Sequence, residues 1–436
     1  KRIELLRGMN LIMNNYTLII NYAGLSMGGI ESFLSKLMQY SLRKKYRVIW
    51  LTTPMHIENA FYKELVKNKK VEKVYVGHGR TTFRKVNVNL GKKENVVMVS
   101  CEPLYFIAAE ELRRRAKTNT FFHYLILPHF TGNAYYIERY FDNKFLKKLC
   151  YGFMKKLVQK WERENCILGF SPKHLDYYEK NYDVTIKDKE NKVLKAIEDK
   201  FPVNIDKIKE KAQKRPISFK IISCARFDFP HKGYLIGLIE KFDFLYKKYP
   251  QLSLTIVGDG PGRQEIEKIY NNLESEVQKA IKFTGLLSRE DLLTEFSLST
   301  LNIGVAGGLL DGAKCALPSI VVRHYSYTCE AYGFLENSRD KLLSSEKGQF
   351  SIDKCIEKVI KMSNEEYEQH ALLAYETAYS FKEIDPDYLF KRQNRSSIAT
   401  ISPIERLIGK CINYACWFEG RILGKPGYNE EEKSSR

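Results

Sequence analysis

Short apolar runs rich in β-branched residues alternate along this chain with segments whose apolar positions recur every three to four residues. Tyr16 to Tyr22 is the first extended run, Ile30, Phe33, Leu34, Leu37 and Met38 then mark one helical face, and Arg47 to Thr52 is extended again. The rhythm continues through Val71 to Val76, Val96 to Ser100, a helix near Leu104 to Ala116, and Phe121 to Leu127. Near-continuous apolar strands separated by helices predict a parallel sheet covered on both faces, which is a Rossmann-like domain.

Between residues 185 and 216 the alternation stops, Lys and Glu accumulate, and Pro202 and Pro216 punctuate a polar stretch. A second series then begins with strands at Phe219 to Cys224, Leu252 to Val257, Ile281 to Thr284, Leu301 to Val305 and Ser319 to Val322, with helices between them. Beyond about residue 345 the pattern is helical. These shifts predict an N-terminal Rossmann-like domain over residues 1–205, a second over 206–380, and a helical tail over 381–436 that returns to the first domain. Two such α/β domains facing a central cleft would bind ligands at strand carboxyl ends.

Composition agrees with a folded chain of several domains: 436 residues, 44% hydrophobic and 13% aromatic, which excludes disordered and collagen-like classes. Charge adds more, because 71 Lys and Arg against 52 Asp and Glu leave +19. Such an excess favours a polyanionic partner: nucleic acid, an anionic membrane face or a phosphorylated substrate. The nine scattered cysteines contain no C-x-x-C pair and read as reduced thiols, so a cytoplasmic setting is expected. No apolar stretch is long enough to span a bilayer, and Asn10, Asn14, Asn15 and Asn21 interrupt any signal-peptide core.

Candidate chemistry gathers at strand ends. Cys224-Ala225-Arg226-Phe227-Asp228-Phe229-Pro230-His231-Lys232-Gly233 follows a buried strand and precedes a helix at Leu235 to Lys247. At the carboxyl edge of a parallel sheet, Arg226 and Lys232 can neutralise a diphosphate, helped by the helix amino terminus. Taken alone, the two are equally a solvated surface pair. Val257-Gly258-Asp259-Gly260-Pro261 ends the next strand, where Gly258 and Gly260 either admit a close ligand or form an ordinary turn. Thr284 and Gly285 repeat the arrangement one strand later, with backbone groups available to a base.

In this order, Arg226, Lys232, Gly258, Gly260, Pro261, Phe283, Gly285 and Pro318 resemble the donor half of the retaining GT-B glycosyltransferases of family 4. Gly24-Leu25-Ser26-Met27-Gly28-Gly29-Ile30-Glu31 is similar to that family's G-G-x-E loop. The resemblance implies that Gly28 and Gly29 approach the donor phosphate or acceptor, with Glu31 supporting them at a helix start. It implies a reaction-centre histidine at His129, which stands at a strand end as His123 does not. It also places Asp311 on the donor ribose. Where the family carries two glutamates eight positions apart, this chain has Ile303 and Asp311. Glu330 lies in a segment similar to the family's E-x-x-x-G-F-L turn and would act from behind the site.

What the resemblance implies is a hexosyltransferase-like enzyme moving a sugar from a UDP- or GDP-linked donor to a glycan or polyprenyl-linked acceptor in bacterial capsule or other surface-polysaccharide assembly. No metal or other cofactor is expected: Asp385-Pro386-Asp387 spells D-x-D but lies in the helical tail, and the histidines show no zinc spacing. Ile303 motivates an alternative, a catalytically degenerate GT-B scaffold or glycan-binding partner of an active enzyme. Two amphipathic segments complete the picture. Lys144 to Arg163 aligns Phe145, Leu149, Phe153, Met154, Leu157 and Trp161 on one stripe among many lysines, which suits either sheet packing or an anionic membrane at the inner face. Ile404, Leu407, Ile408, Cys411, Ile412, Ala415 and Phe418 mark a helix expected to pack on the first domain. No nucleic-acid-binding motif accompanies the charge.

Overall fold

The computed structural model describes residues 16–22, 29–52, 70–76, 86, 88–127, 137, 143–170, 172–194, 201–380, 385–391 and 401–421. Two compact units divide the described residues, one taking those up to 198 and those within 382–428, the other those within 199–381.

The first unit carries six strands, β1 (Tyr16–Asn21), β2 (Arg47–Thr52), β3 (Glu72–Tyr75), β4 (Asn95–Ser100), β5 (Thr120–Leu127) and β6 (Ile167–Gly169). Their order is β3-β2-β1-β4-β5-β6, and every pair is parallel. Alternation within the strands supplies two cores. Leu18, Ile20, Val48 and Trp50 face Phe33, Leu34, Leu37 and Met38 of the helix Gly29–Arg43. Ile19, Ile49, Val96 and Met98 meet Ala108, Ala109 and Leu112 of the helix Pro103–Arg115.

In the second unit the strands are β7 (Phe219–Cys224), β8 (Leu252–Val257), β9 (Ile281–Gly285), β10 (Leu301–Gly304), β11 (Ser319–Val322), β12 (Glu330–Phe334) and β13 (Phe350–Ser351). The order β13-β12-β11-β10-β7-β8-β9 repeats that of the first sheet, with β12 and β13 added antiparallel beyond β11. Helix Tyr234–Lys248 buries Leu235, Leu238, Ile239, Phe242 and Leu245 against this sheet, each worth about 2 kcal/mol of transfer free energy. Both units are therefore Rossmann-like, as the alternating pattern predicts. Three strands, β6, β12 and β13, lie outside that pattern: two are only three and two residues long, and β12 contains Gly333 with φ +112.

Helix Pro403–Arg421 lies on the first unit through only part of its apolar stripe, Ile412 and Ala415. A Cβ at Gly409 would come 2.7 Å from Ile107 Cγ2, so the helix seats its glycine edge on helix Pro103–Arg115 and buries Ile412. Arg406 pairs with Glu111 on the same edge. Ile404, Leu407, Ile408 and Cys411 consequently face solvent, a departure from the packing that their spacing suggests.

Candidate functional site

In the second sheet the chain leaves β7 toward β8 and leaves β10 toward β11, so the strand order reverses between these neighbours. Their carboxyl ends flank the crevice where open α/β sheets hold ligands. The loop after β7 is built onto the loop after β8. The Ala225 N–H donates to the Val257 carbonyl at 3.0 Å, the Phe227 N–H to that of Asp259 at 3.0 Å, and the Gly262 N–H to that of Phe227 at 2.9 Å. Gly258 makes this nesting possible: its φ is +139, and a Cβ there would lie 1.9 Å from the Ala225 carbonyl oxygen. Gly260 is likewise pressed against the Phe227 backbone. The two glycines thus shape the loop that carries Arg226 and Lys232.

Those two cations differ in setting. Arg226 is exposed and, among the described residues, makes no side-chain hydrogen bond or ion pair. Lys232 is half-buried, with its Nζ 3.1 Å from Nε2 of His324. Burial pulls the Lys232 pKa down to about 7, against the smaller opposing pull of Asp228 and Cys224. Sequence reasoning missed His324, which lies 92 residues away along the chain. It stands in a ring cluster, 4.4 Å from His231 and 4.7 Å from Tyr325 between ring centres. Only the adjacency of His231 to Lys232 hints at this cluster in the sequence.

From β10 the chain enters helix Ala306–Lys314. A Cβ at Gly308 would come 2.3 Å from the Cys224 carbonyl oxygen, so glycine lets the first turn of this helix close on the end of β7. That first turn holds no acidic residue. Asp311, one turn further, takes a forked pair from Arg289, Nη1 to Oδ2 at 2.8 Å and Nη2 to Oδ1 at 3.2 Å. The Cys224 thiol is pushed up to about 12 by burial first and then by Asp311, with Arg289 and Lys232 pulling the other way. These four groups share one electrostatic neighbourhood. Ile303 lies inside β10, fully buried in the sheet core, so its position offers nothing to a ligand.

The remaining candidates are placed as follows. Gly285 ends β9 with φ +66 and accepts the Gly258 N–H at 3.0 Å, while the Thr284 hydroxyl donates to the Gly285 carbonyl at 3.0 Å. Glu330 opens β12, 3.3 Å from Arg323 Nη1, and accepts the Gly348 N–H at 2.9 Å. In the first unit, Gly29 starts helix Gly29–Arg43, and Glu31 accepts the Tyr22 hydroxyl at 3.1 Å. Burial and then the Glu31 charge hold the Tyr22 phenol well above its ordinary range. Gly28 and His129 lie outside the described residues. Asp385 accepts the Asp387 N–H at 2.8 Å, and Asp387 is bonded by Tyr40 and faces Lys44 at 3.6 Å, so the D-x-D segment fastens the tail to helix Gly29–Arg43.

A buried polar chain that the sequence does not announce crosses the carboxyl half of the first sheet. Asn21 Nδ2 donates to Ser100 Oγ at 2.8 Å, Ser100 Oγ lies 2.7 Å from His123 Nε2, and His123 Nδ1 lies 2.6 Å from Glu110 Oε1. Phe106 stacks on the imidazole at 3.8 Å between ring centres. Burial lowers the His123 pKa, although Glu110 opposes it. With β1, β4, β5 and helix Pro103–Arg115 each contributing one member, the chain ties these elements together at the switch point of the sheet.

Two Rossmann-like units of repeated strand order constitute the GT-B glycosyltransferase fold. Solved structures with this arrangement include the N-terminal domain of trehalose-6-phosphate phosphatase from Candida albicans, 11% identical, which covers 92% of this chain and 97% of its own with a TM-score of 0.50. HepE of Anabaena, solved in complex with UDP and glucose, is 13% identical, and the match covers 86% of this chain and 96% of that one with a TM-score of 0.50. Likenesses at this identity establish the fold. No protein-family model matches the sequence, and no curated protein matches it.

Proposed function

We propose that the chain transfers a sugar from a nucleoside diphosphate to a glycan or lipid-linked acceptor, with retention at the anomeric carbon. The observation that carries this reading is the pairing, on one loop at the sheet's switch point, of an exposed Arg226 with a Lys232 whose charge is suppressed by burial. An anion arriving there restores the lysine's proton and finds a forked donor beside it. In the step itself the bond between the anomeric carbon and the phosphate oxygen breaks, and its electron pair goes to the diphosphate. The acceptor oxygen bonds to the same face of the sugar, and its proton passes to the departing phosphate. Arg226 and Lys232 take up the charge that develops, so the proposed reaction calls on no metal. We assign Thr284 and Gly285, at the end of β9, to the base and Asp311, in helix Ala306–Lys314, to the ribose, Asp311 sharing its carboxylate with Arg289. Bacterial surface-polysaccharide assembly is the setting we assign by analogy with the fold.

Arg226→Ala and Lys232→Ala are each expected to slow release of nucleotide from UDP- or GDP-sugars by about 100-fold or more, with the unfolding temperature near wild type. Turnover unchanged in both variants would overturn the assignment. A second reading has its own observation: Ile303 is core, and the first turn of helix Ala306–Lys314 lacks a carboxylate. A GT-B scaffold without catalysis would then show UDP or GDP raising the unfolding temperature while no acceptor yields free nucleotide.

A further inference from the structure

Helices Lys144–Arg163 and Pro403–Arg421 both belong to the first unit and share one core, in which Met154, Leu157, Trp161, Ile401 and Ile412 pack together. Lys160 Nζ joins them 3.2 Å from Glu405 Oε2. Each also turns large apolar side chains outward. On the first, Phe145 is 68% exposed and Leu149 54%, with Leu146 beside them; on the second, Ile404 is 70% exposed and Leu407 62%, followed by Tyr414. The first helix starts because the Asn143 side chain accepts the Phe145 and Leu146 N–H groups, which fixes these residues on an ordered turn.

Around the apolar turn the charge has one sign. From Lys144 to Trp161 the helix contains no acidic residue. Lys144, Lys148 and Lys156 are exposed, and among the described residues none of them has an ion-pair partner, in contrast to Lys155, which pairs with Asp183. Helical spacing sets Phe145, Leu149 and Lys156 on one outward strip, with Lys144 and Lys148 along its flank.

We propose that these outward faces dock the protein on an anionic lipid bilayer. Apolar side chains enter the boundary between headgroups and acyl chains while unpaired lysines meet lipid phosphates. The helices lie on the surface: none of the described helices is long and apolar enough to cross a membrane. A second copy of this chain suits the face poorly, because a two-fold contact would set lysine against lysine. Both helices belong to the first unit and the loop carrying Arg226 and Lys232 to the second, and the proposal does not depend on the transferase reading.

Flotation of the full chain with vesicles tests this without any nucleotide present. Binding is expected to vesicles of equimolar phosphatidylcholine and phosphatidylglycerol, and not to phosphatidylcholine alone. Phe145→Ser with Leu149→Ser, and separately Lys144→Glu with Lys148→Glu, should each weaken it about tenfold or more. Lys207→Glu with Lys209→Glu, the same charge change on an exposed helix of the second unit, should leave it near wild type. Any of four results overturns the proposal: no binding, equal binding to both vesicles, equal loss in the control variant, or site variants that dissolve a dimer and leave vesicle binding intact.

Discussion

Lys232 shows how position sets the chemistry of a single residue. Burial brings its pKa down to about 7, so without a ligand this lysine titrates far below its ordinary range. Binding of a diphosphate raises that pKa again, and the complex takes up a proton. The sign follows: above pH 7, where the nucleotide phosphates are already ionised, affinity for UDP or GDP should fall by up to about tenfold per pH unit until the lysine of the complex also titrates. Isothermal titration between pH 6.5 and 9, in buffers of different ionisation heat, measures both the fall and the proton uptake. Lys232→Arg, permanently charged, should flatten the profile. Elsewhere the buried His123 illustrates a residue that sequence reasoning could only half interpret. Its place inside an apolar strand was visible, but its partners Ser100 and Glu110 come from a strand end and a helix, and no spacing rule connects them.

Among the elements, helix Ala306–Lys314 is the one whose placement depends most closely on a missing side chain. Gly308 abuts the Cys224 carbonyl, whereas a Cβ at Gly307 would have nothing within 4 Å. Gly307→Ala should therefore be neutral or stabilising by up to about 1 kcal/mol through helix propensity. Gly308→Ala should cost about 2 kcal/mol or more by prising the helix off β7. Urea unfolding of the two variants compares them directly, and equal stabilities would contradict the close approach. The parallel strands were legible because runs such as Phe219–Cys224 and Leu252–Val257 are β-rich and bounded by polar turns. Short β6 and β13 carry too few residues for a period to emerge. The carboxylate pattern around Ile303 failed for another reason: counting back from Asp311 lands inside a strand, at a side chain fully buried in the apolar core. Glycine spacing was visible too, yet only coordinates reveal that Gly258 answers a neighbouring carbonyl.

At the scale of the whole molecule, the first unit is assembled from two separated stretches of chain. Helix Pro403–Arg421 and the preceding Ile401 complete a core begun by residues 104–186. Removing residues 400–436 should take the buried Ile401 and Ile412 out of this core and break the Arg406–Glu111 pair, lowering the stability of the first unit by about 4 kcal/mol. Hydrogen exchange would register the loss in peptides spanning 104–115, while those from 219–257 should stay protected. Equal deprotection of both regions would show the tail supporting more than the unit it lies on.

The same interleaving sets an order of events on the ribosome. Residues 201–380 form a contiguous stretch and can acquire their final packing soon after emerging. The earlier-made unit must wait for its closing helix, roughly 200 residues later, a delay of about 10 to 40 s at ordinary rates of synthesis. During that interval the Ile107 surface stands uncovered, so the nascent protein spends its longest vulnerable period in the part synthesised first.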